Sequence, residues 1–353
     1  MTFGLSKRGQ QYRAEAGEIH GVVTSTLFTI HTLANATAIN SEFGILEAVD
    51  IFADSCILQN INTTQFKILA RARVLVLNWK QKEKDLKVFM EPPHDEVQPI
   101  EDTFSLVDDS ECADLVIHRT GQGTLQFERL DLLMSTYAPV LGGISSKPGL
   151  SAILHGVSNF NFHISRRNSI NPLKQYVKVT LHHLIQSNYD LDLEEPMYIP
   201  QGLVDQPLIL SHINEVVASS KATTDVDYLF YGLTVTNESP HDLFPYLFYF
   251  DPSDYSIQPL YHLPCLTMEA PLASASATTK LPVLKVGCGE ANVEAIRFTA
   301  DDKSDNIGFV KLFVSSTYVD MTGLQQDPIF YGAHVPRGGA AMVKLPGKDV
   351  WDT

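Results

Sequence analysis

The run Leu243-Phe-Pro-Tyr-Leu-Phe-Tyr-Phe-Asp-Pro-Ser-Asp-Tyr-Ser-Ile257 constrains the fold more than any other stretch of this chain. From Phe244 to Phe250 apolar residues fill both alternating positions, so a strand here would be apolar on both faces and needs a central place in a sheet. The Asp251-Pro-Ser-Asp254 cluster that follows is a turn signal. Gly308-Phe-Val-Lys-Leu-Phe-Val314 repeats the pattern. A chain built on such runs is expected to be rich in β-structure.

At 353 residues the chain exceeds what one hydrophobic core usually serves, so two or three domains are expected. The formal charge of −15 disfavours bulk attraction to nucleic acid or anionic lipid and favours solubility. No apolar run approaches the roughly 20 residues needed to cross a bilayer as a helix. The first residues, Met1-Thr-Phe-Gly-Leu-Ser-Lys-Arg-Gly-Gln10, lack the apolar core of a signal peptide, so a cytoplasmic location is expected. On that reading the triplets at Asn35, Asn62 and Asn237 are chance matches to the glycosylation pattern. Cys56, Cys112, Cys265 and Cys288 are widely spaced and form no C-x-x-C pair, which points to reduced, mostly buried thiols.

The patterning divides the chain into three expected modules. Residues 10–82 read as a small β-barrel-like module, with alternation over Thr26–Thr32 and Gly44–Phe52 and further strands over Ala53–Leu58 and Phe66–Leu77. Gly17 and Gly21 flank Ile19-His20 and mark turns. Residues 83–170 read as a small α/β module. It comprises a strand at Leu86–Met90, helical spacing through Ile100, Phe104 and Val107 after Pro99, and a hairpin around Gly121-Gln-Gly123. A helix follows whose face carries Leu150, Ile153, Leu154, Val157, Phe160 and Ile164, closed by Arg166 and Arg167. Residues 171–353 read as an antiparallel β-sandwich, with strands around Val177–His182, Leu229–Thr236, Phe244–Phe250, Val293–Phe298 and Ile307–Val314. The expected fold class is therefore mainly β with a small α/β insert, α+β overall.

No catalytic constellation stands out. His20-Gly21 and His155-Gly156 carry the dipeptide found at the catalytic histidine of caspase-type peptidases, and a Cys–His dyad with Cys56 or Cys288 would need thiolate and imidazole side by side. The simpler readings are a turn at His20, a helical position for His155, a buried strand cysteine at Cys56 and a tight turn at Gly287-Cys288-Gly289-Glu290. Two acidic loops, Asp190, Asp192, Glu194 and Glu195, then Asp301, Asp302 and Asp305, raise calcium, but neither matches the helix–loop–helix calcium pattern and solvated loops are the plainer reading. His182 and His183 point to opposite faces of a strand and do not chelate together. Tyr246, Phe248, Phe250 and Tyr255 could line a groove, though aromatics in a sandwich belong more often to the core. No phosphate loop, dinucleotide fingerprint or G-x-S-x-G elbow occurs, and no cofactor or metal is implied.

Several blocks in order resemble the non-catalytic, β-rich region of caspase-like proteins from mushroom-forming fungi. They are Glu15–Gly21 with Phe28–Ile30, Phe43–Leu46, Tyr176–Val179, Tyr231–Asn237, Asp242–Asp251, Ser253–Ile257, Ala270–Leu272 and Ile307–Asp320. The resemblance covers most of the chain, is strongest after residue 225 and is loose in the middle. The peptidase block that precedes this region in such proteins has no counterpart before Glu15, so no catalytic residue is carried over. Such proteins also continue past the position of Trp351-Asp-Thr353 into one more strand, which suggests a truncated chain or one completed by a partner. The resemblance implies a non-enzymatic accessory or interaction region whose partner is a protein, a caspase-like domain among the candidates. A residual cysteine peptidase and a calcium- or ligand-binding sandwich are the alternatives.

Overall fold

The structure is a computed structural model. It describes residues 2–8, 11–31, 44–61, 72–80, 86–91, 104–120, 123–145, 149–168, 173–190, 195–201, 206–208, 230–263, 269–277, 280–288, 295–298, 307–330 and 340–342. The protein is mainly β, as its patterning predicts. It forms two compact units: Met1–Arg166 with Pro252–Gln258 and Val319–Val335, and Arg167–Asp251 with Pro259–Tyr318 and Pro336–Thr353.

The first unit opens with a closed barrel. Its strands are β1 (Thr2–Arg8), β2 (Gln11–Ala14), β3 (Leu27–His31), β4 (Ile45–Ile51), β5 (Cys56–Asn60) and β6 (Arg73–Asn78), in the order β1-β2-β5-β4-β3-β6 with every pairing antiparallel. Alternation fills it. Phe3 and Leu5, Tyr12 and Ala14, Phe28 and Ile30, Leu46 and Ala48, Cys56 and Leu58, and Val74 and Val76 are all buried in one core. Closure removes the open edges that a six-stranded sheet would otherwise expose. Strand β1 lies outside the 10–82 span read from the sequence, although Phe3 and Leu5 carry the same alternation as the rest of the barrel.

The second part of this unit is a five-stranded sheet. It contains β7 (Leu86–Glu91), β8 (Phe104–Leu106), β9 (Leu115–Arg119), β10 (Leu125–Arg129) and β11 (Val140–Ile144), in the order β11-β10-β9-β7-β8. β7 runs parallel to both β8 and β9, whereas β9, β10 and β11 are antiparallel neighbours. The β9–β10 hairpin expected around Gly121–Gly123 is present. The helix expected through Phe104 and Val107 is not. Phe104 is buried in β8, with Leu86 opposite it; two apolar residues three positions apart are too few to specify a helix, and pairing with β7 decides the conformation. Pro99 and Ile100 lie outside the described residues.

Helix α1 (Leu132–Tyr137) was not read from the sequence; Asp131 caps it by accepting the Met134 N–H at 3.0 Å. Helix α2 (Leu150–Ser165) occupies the stretch its periodicity predicts, with Ile153, Leu154, Val157 and Phe160 buried. The chain returns to this unit twice, and both returning segments pack with α2 and the sheet. Tyr255 is fully buried, with ring centroids 5.1 Å from Phe160 and 6.0 Å from Phe330, and Arg129 of β10 lies over its ring at 5.0 Å. Gln326 donates to the carbonyls of Gly156 and Tyr255, and its own carbonyl accepts from Asn159 at 2.8 Å.

These contacts give Gly156 a packing role. A Cβ there would sit 2.5 Å from Ile329 Cγ2. Ile329 Cγ2 is carried on a branched stem and must move to admit a Cβ, which outweighs the about 1 kcal/mol of helix propensity that alanine recovers, so Gly156→Ala should lose about 1 kcal/mol. Gly156→Val adds bulk without that gain and should lose about 2 kcal/mol. Urea midpoints of the two variants check this, and equal midpoints would rule out a close approach at Gly156.

The second unit holds two sheets. The larger contains β12 (Val177–Asp190), β13 (Glu195–Pro200), β14 (Gln206–Leu208) and β15 (Phe230–Asn237), together with β18 (Val283–Val286), β19 (Ile296–Phe298) and β21 (Ala340–Met342). Its order is β13-β12-β15-β19-β21, with β14 also on β12 and β18 also on β15, all antiparallel. The smaller sheet has the order β17-β16-β20, from β16 (Phe244–Asp251), β17 (Ser256–Tyr261, whose last three residues belong to this unit) and β20 (Phe309–Ser315). All eight residues of β16 are buried, as expected of the central strand that its two-sided apolar sequence demands. The β16–β20 register pairs Phe244 with Ser315 and Phe250 with Phe309, so the two most aromatic runs of the chain are direct neighbours. Among the described residues no helix is long and apolar enough to cross a membrane.

Candidate functional site

The residues that could have built a peptidase are committed elsewhere. His20 ends a short turn of 3-10 helix, Glu18–His20, between Gly17 and Gly21. The Gly17 N–H donates to His20 Nδ1 at 3.0 Å, which leaves the proton on Nε2, where it is donated to the Asp320 carbonyl at 2.9 Å. Both ring nitrogens are thus taken by the backbone, and the ring has no free lone pair for a thiol. It is fully buried with the Phe3 ring 4.9 Å away, and burial lowers its pKa from 6.5 to about 4. Gly21 follows at φ 93°, and a Cβ there would fall 2.5 Å from the Phe162 ring. The His20-Gly21 pair is therefore a turn, as its spacing predicts.

His155 is exposed in the middle of α2, and its glycine serves packing rather than catalysis. Cys56 is fully buried at the start of β5, where burial pushes its thiol up to about 12, far from a usable thiolate. Cys288 is buried at a bend after β18, behind Gly287 at φ 82°. Cys265, Gly289 and Glu290 lie outside the described residues.

The other candidates resolve in the same way. His182 and His183 do face opposite ways: His182 Nε2 meets Thr234 Oγ1 at 2.6 Å, while His183 lies 4.8 Å from the Tyr231 ring. Tyr246, Phe248 and Phe250 are core residues of the second unit and Tyr255 of the first. Asp190 on β12 and Glu195 on β13 are register partners, while Asp192, Glu194, Asp301, Asp302 and Asp305 lie outside the described residues. No three His, Cys, Asp or Glu side chains among the described residues converge to hold a metal ion. Asn237 is fully buried and its amide is hydrogen-bonded to His241, Ala273 and Ser239, so the triplet there presents no accessible acceptor. Asn35 and Asn62 are outside the described residues.

What remains is the outer face of the five-stranded sheet. Across β7, β9 and β10, one row of side chains is Phe89, Val116 and Glu128, and the next is Glu91, His118 and Gln126. The opposite faces of these strands carry Leu115, Ile117, Leu125, Phe127 and Arg129, all buried, so alternation puts the first set on the other face, where Val116 is still buried while His118 and Glu128 are partly exposed. An open pocket of about 260 Å³ lies on this face, lined by Phe89, Glu91, Ser110, Glu111, Val116, His118, Glu128 and Leu130. Its lining combines Phe89, Val116 and Leu130 with three acidic residues, Glu91, Glu111 and Glu128, and one imidazole, His118. His118 Nε2 and Glu128 Oε2 are 3.3 Å apart and both side chains are partly exposed.

Exposed apolar residues occur in the pocket and near its lining residues in sequence or register. Leu130 lines it at 39% exposure, Leu132 at the start of α1 is 90% exposed, and Val140, opposite Glu128 on β11, is 55% exposed. Leucine in the first turn of a short helix whose buried residue is Met134 has no core to enter. None of these residues stood out in the sequence. The available signal was the alternation of Val116 and His118 against Gln126 and Glu128 on either side of a recognised hairpin. Comparisons with protein-family profiles, with curated proteins and with solved structures found no match to this chain.

Proposed function

We propose that this chain is a non-enzymatic protein-interaction module, acting as an accessory region of a caspase-like system in the cytoplasm. The carrying observation is the outer face of the five-stranded sheet, where Glu91, Glu111 and Glu128 line one pocket and the exposed Val140 stands opposite Glu128. Exposed large aliphatic side chains beside a polar rim mark contact surfaces. The commitment of His20 to two backbone groups and the inert thiol of Cys56 also support a binding role over a peptidase one. The caspase-like context comes from the ordered sequence blocks that run from Glu15 to Asp320.

The test is calorimetry of this chain against the isolated peptidase block of a fungal caspase-like protein. Saturable heat and a rise in Tm are expected, together with no cleavage of peptides bearing basic or acidic residues before the scissile bond. Absence of heat and thermal shift would remove the caspase-like context. Peptide cleavage by this chain, lost on substituting Cys56 or Cys288, would refute the interaction reading altogether.

A further inference from the structure

The chain's last return to the first unit is pinned by a group that can take up a proton. Asp320 stands at the start of the returning segment Val319–Val335, and its carbonyl accepts the Nε2 proton of His20, 300 positions earlier in the chain. The other ring nitrogen, Nδ1, accepts from the Gly17 N–H. A neutral imidazole satisfies both backbone groups at once. An imidazolium carries hydrogen on both nitrogens and cannot accept from Gly17.

The surroundings of the ring oppose a positive charge. Arg166, at the end of α2, donates from Nη1 to the Ile19 carbonyl, so a guanidinium lies against the turn that carries His20. Phe3 of β1 meets the imidazole edge to face. Two carboxylates act in the opposite sense, Asp320 itself and Asp54 between β4 and β5. Both are engaged elsewhere: Asp320 Oδ1 accepts from the Thr322 N–H and hydroxyl, and Asp54 Oδ1 accepts from the Ser55 hydroxyl at 2.9 Å. Glu18, in the same turn as His20, is exposed. Burial outweighs the bond to Asp320 and both carboxylates, and with Arg166 it holds the ring's pKa at about 4.

The returning segment is attached in chemically different ways along its length. At Asp320 it hangs on His20. At Gln326 it is fixed by groups that do not titrate. Gln326 exchanges backbone bonds with Ile257 at 2.9 and 3.0 Å, and its side chain donates to the carbonyls of Gly156 and Tyr255. Between these points a turn of 3-10 helix, Thr322–Leu324, closes on itself, the Leu324 N–H donating to Met321 and the Gln325 N–H to Thr322. Val319, Met321 and Leu324 are buried.

We propose that His20 is a proton-operated catch: when its ring is protonated and leaves its site, residues 319–325 lift off the first unit and uncover Val319, Met321 and Leu324, while the attachment at Gln326 holds. The catch does not depend on the interaction reading above.

The test is amide hydrogen exchange of the whole chain by mass spectrometry, corrected for the intrinsic pH dependence of exchange and run in urea below the unfolding transition. A ring that titrates near 6.5 when released and near 4 when held makes opening about fifty-fold more favourable at pH 4.5 than at pH 7. The amides of Thr322, Leu324 and Gln325 should lose protection by about that factor. Their opening free energy should lie below that of β5 and β6 and depend little on urea, because a local opening exposes little surface. In His20→Gln the same amides should change by less than about threefold over this pH range, since position 20 takes up no proton.

Protection that does not fall with pH would overturn the proposal. If these amides and those of β5 and β6 open with one free energy and one urea dependence, the segment leaves only when the whole unit unfolds, and the catch is refuted. A fifty-fold loss that persists in His20→Gln would assign the proton to another group and refute it as well. The urea comparison uses the native chain, so it decides the matter even where the variant fails to fold.

Discussion

Asn237→Ala should lower the stability of the second unit by about 3–4 kcal/mol, which is large for one polar side chain. The amide of Asn237 is fully buried and every one of its hydrogen-bonding positions is used. The two hydrogens of its Nδ2 serve the carbonyls of His241 at 2.8 Å and Ala273 at 2.8 Å, with the Leu272 carbonyl at 3.3 Å sharing one of them. Its Oδ1 accepts from the N–H of Ser239 at 2.9 Å and from the Ser239 hydroxyl at 2.7 Å. The side chain thus ties the end of β15 to the turn that leads into β16 and to the segment after Leu272, which also bridges Leu243. Alanine would strand the buried Ser239 N–H and remove the Nδ2 bond of the Ala273 carbonyl, while the Leu272 carbonyl keeps the Leu243 N–H at 2.8 Å and the His241 carbonyl keeps the Ser239 hydroxyl at 3.1 Å. A buried group costs more to strand than a hydrogen bond contributes when formed.

A variant series separates this account from simple loss of volume. Asn237→Asp keeps the acceptor but turns a negative charge toward three carbonyl oxygens, so it should be at least as damaging as alanine. Ser239→Ala removes only the hydroxyl bonds and should lose about 1 kcal/mol. The readout must report the second unit. Trp79 stacks on Phe162 with centroids 4.6 Å apart inside the first unit, so its fluorescence reports the first unit. Amide exchange of β15 and β16 followed by mass spectrometry gives the second-unit opening free energy directly. Unchanged exchange in Asn237→Ala, or an aspartate variant milder than alanine, would refute the network as a source of stability.

The same residue shows where legibility in the sequence stops. The strand that ends at Asn237 was readable, because Tyr231, Leu233 and Val235 alternate and are buried as alternation requires. The role of Asn237 was not, because its partners Leu272 and Ala273 lie more than thirty positions away and present only backbone carbonyls. Carbonyls are common to all residues and leave no mark in a sequence. The barrel was legible for the opposite reason: each of its strands carries its own period-two signal. Helix α2 was legible through its 3.6-residue stripe, whereas α1 is too short to show one. The returns of Pro252–Gln258 and Val319–Val335 to the first unit were hidden, since nothing local to Tyr255 or Gln326 says that its neighbours are Phe160 and Asn159.

The candidate binding face was legible only in part. The β9–β10 hairpin was readable from its glycine turn, and alternation then assigns His118 and Glu128 to one face and Phe127 and Arg129 to the other. It could not say which face was covered. That is decided by Tyr255, which arrives from more than a hundred residues later and lies against Arg129. The two His-Gly pairs carry the reverse lesson. A dipeptide was visible and suggestive, yet in one case the glycine is required by a left-handed turn and in the other by contact with Ile329. Conformational need and close approach select glycine far more generally than catalysis does.

Acidification should destabilise the first unit by about 3 kcal/mol between pH 6.5 and pH 4 through His20 alone. The sign follows from the direction of the shift. Burial lowers the folded-state pKa of His20 from 6.5 to about 4, while in the unfolded chain the imidazole is hydrated and titrates normally. Above pH 6.5 both states hold a neutral ring and His20 adds no pH dependence. Between pH 6.5 and pH 4 the unfolded chain binds a proton that the folded chain refuses, so stability falls as pH falls, by up to about 1.4 kcal/mol per pH unit. Below pH 4 the folded state can take the proton only by breaking the Gly17 N–H to Nδ1 bond, which the imidazolium cannot accept. His20→Gln offers an amide able to accept and donate without titrating. It should be less stable than the native chain at pH 7, because its geometry differs, yet lose less on acidification. Urea midpoints followed by Trp79 fluorescence from pH 7.5 to pH 4.5, compared between the two proteins, cancel the contribution of carboxylates common to both. The difference in stability between them should shrink by about 2–3 kcal/mol over that range. Parallel curves would mean that His20 is not the group refusing the proton, and the buried neutral imidazole joining Gly17 to Asp320 would have to be abandoned.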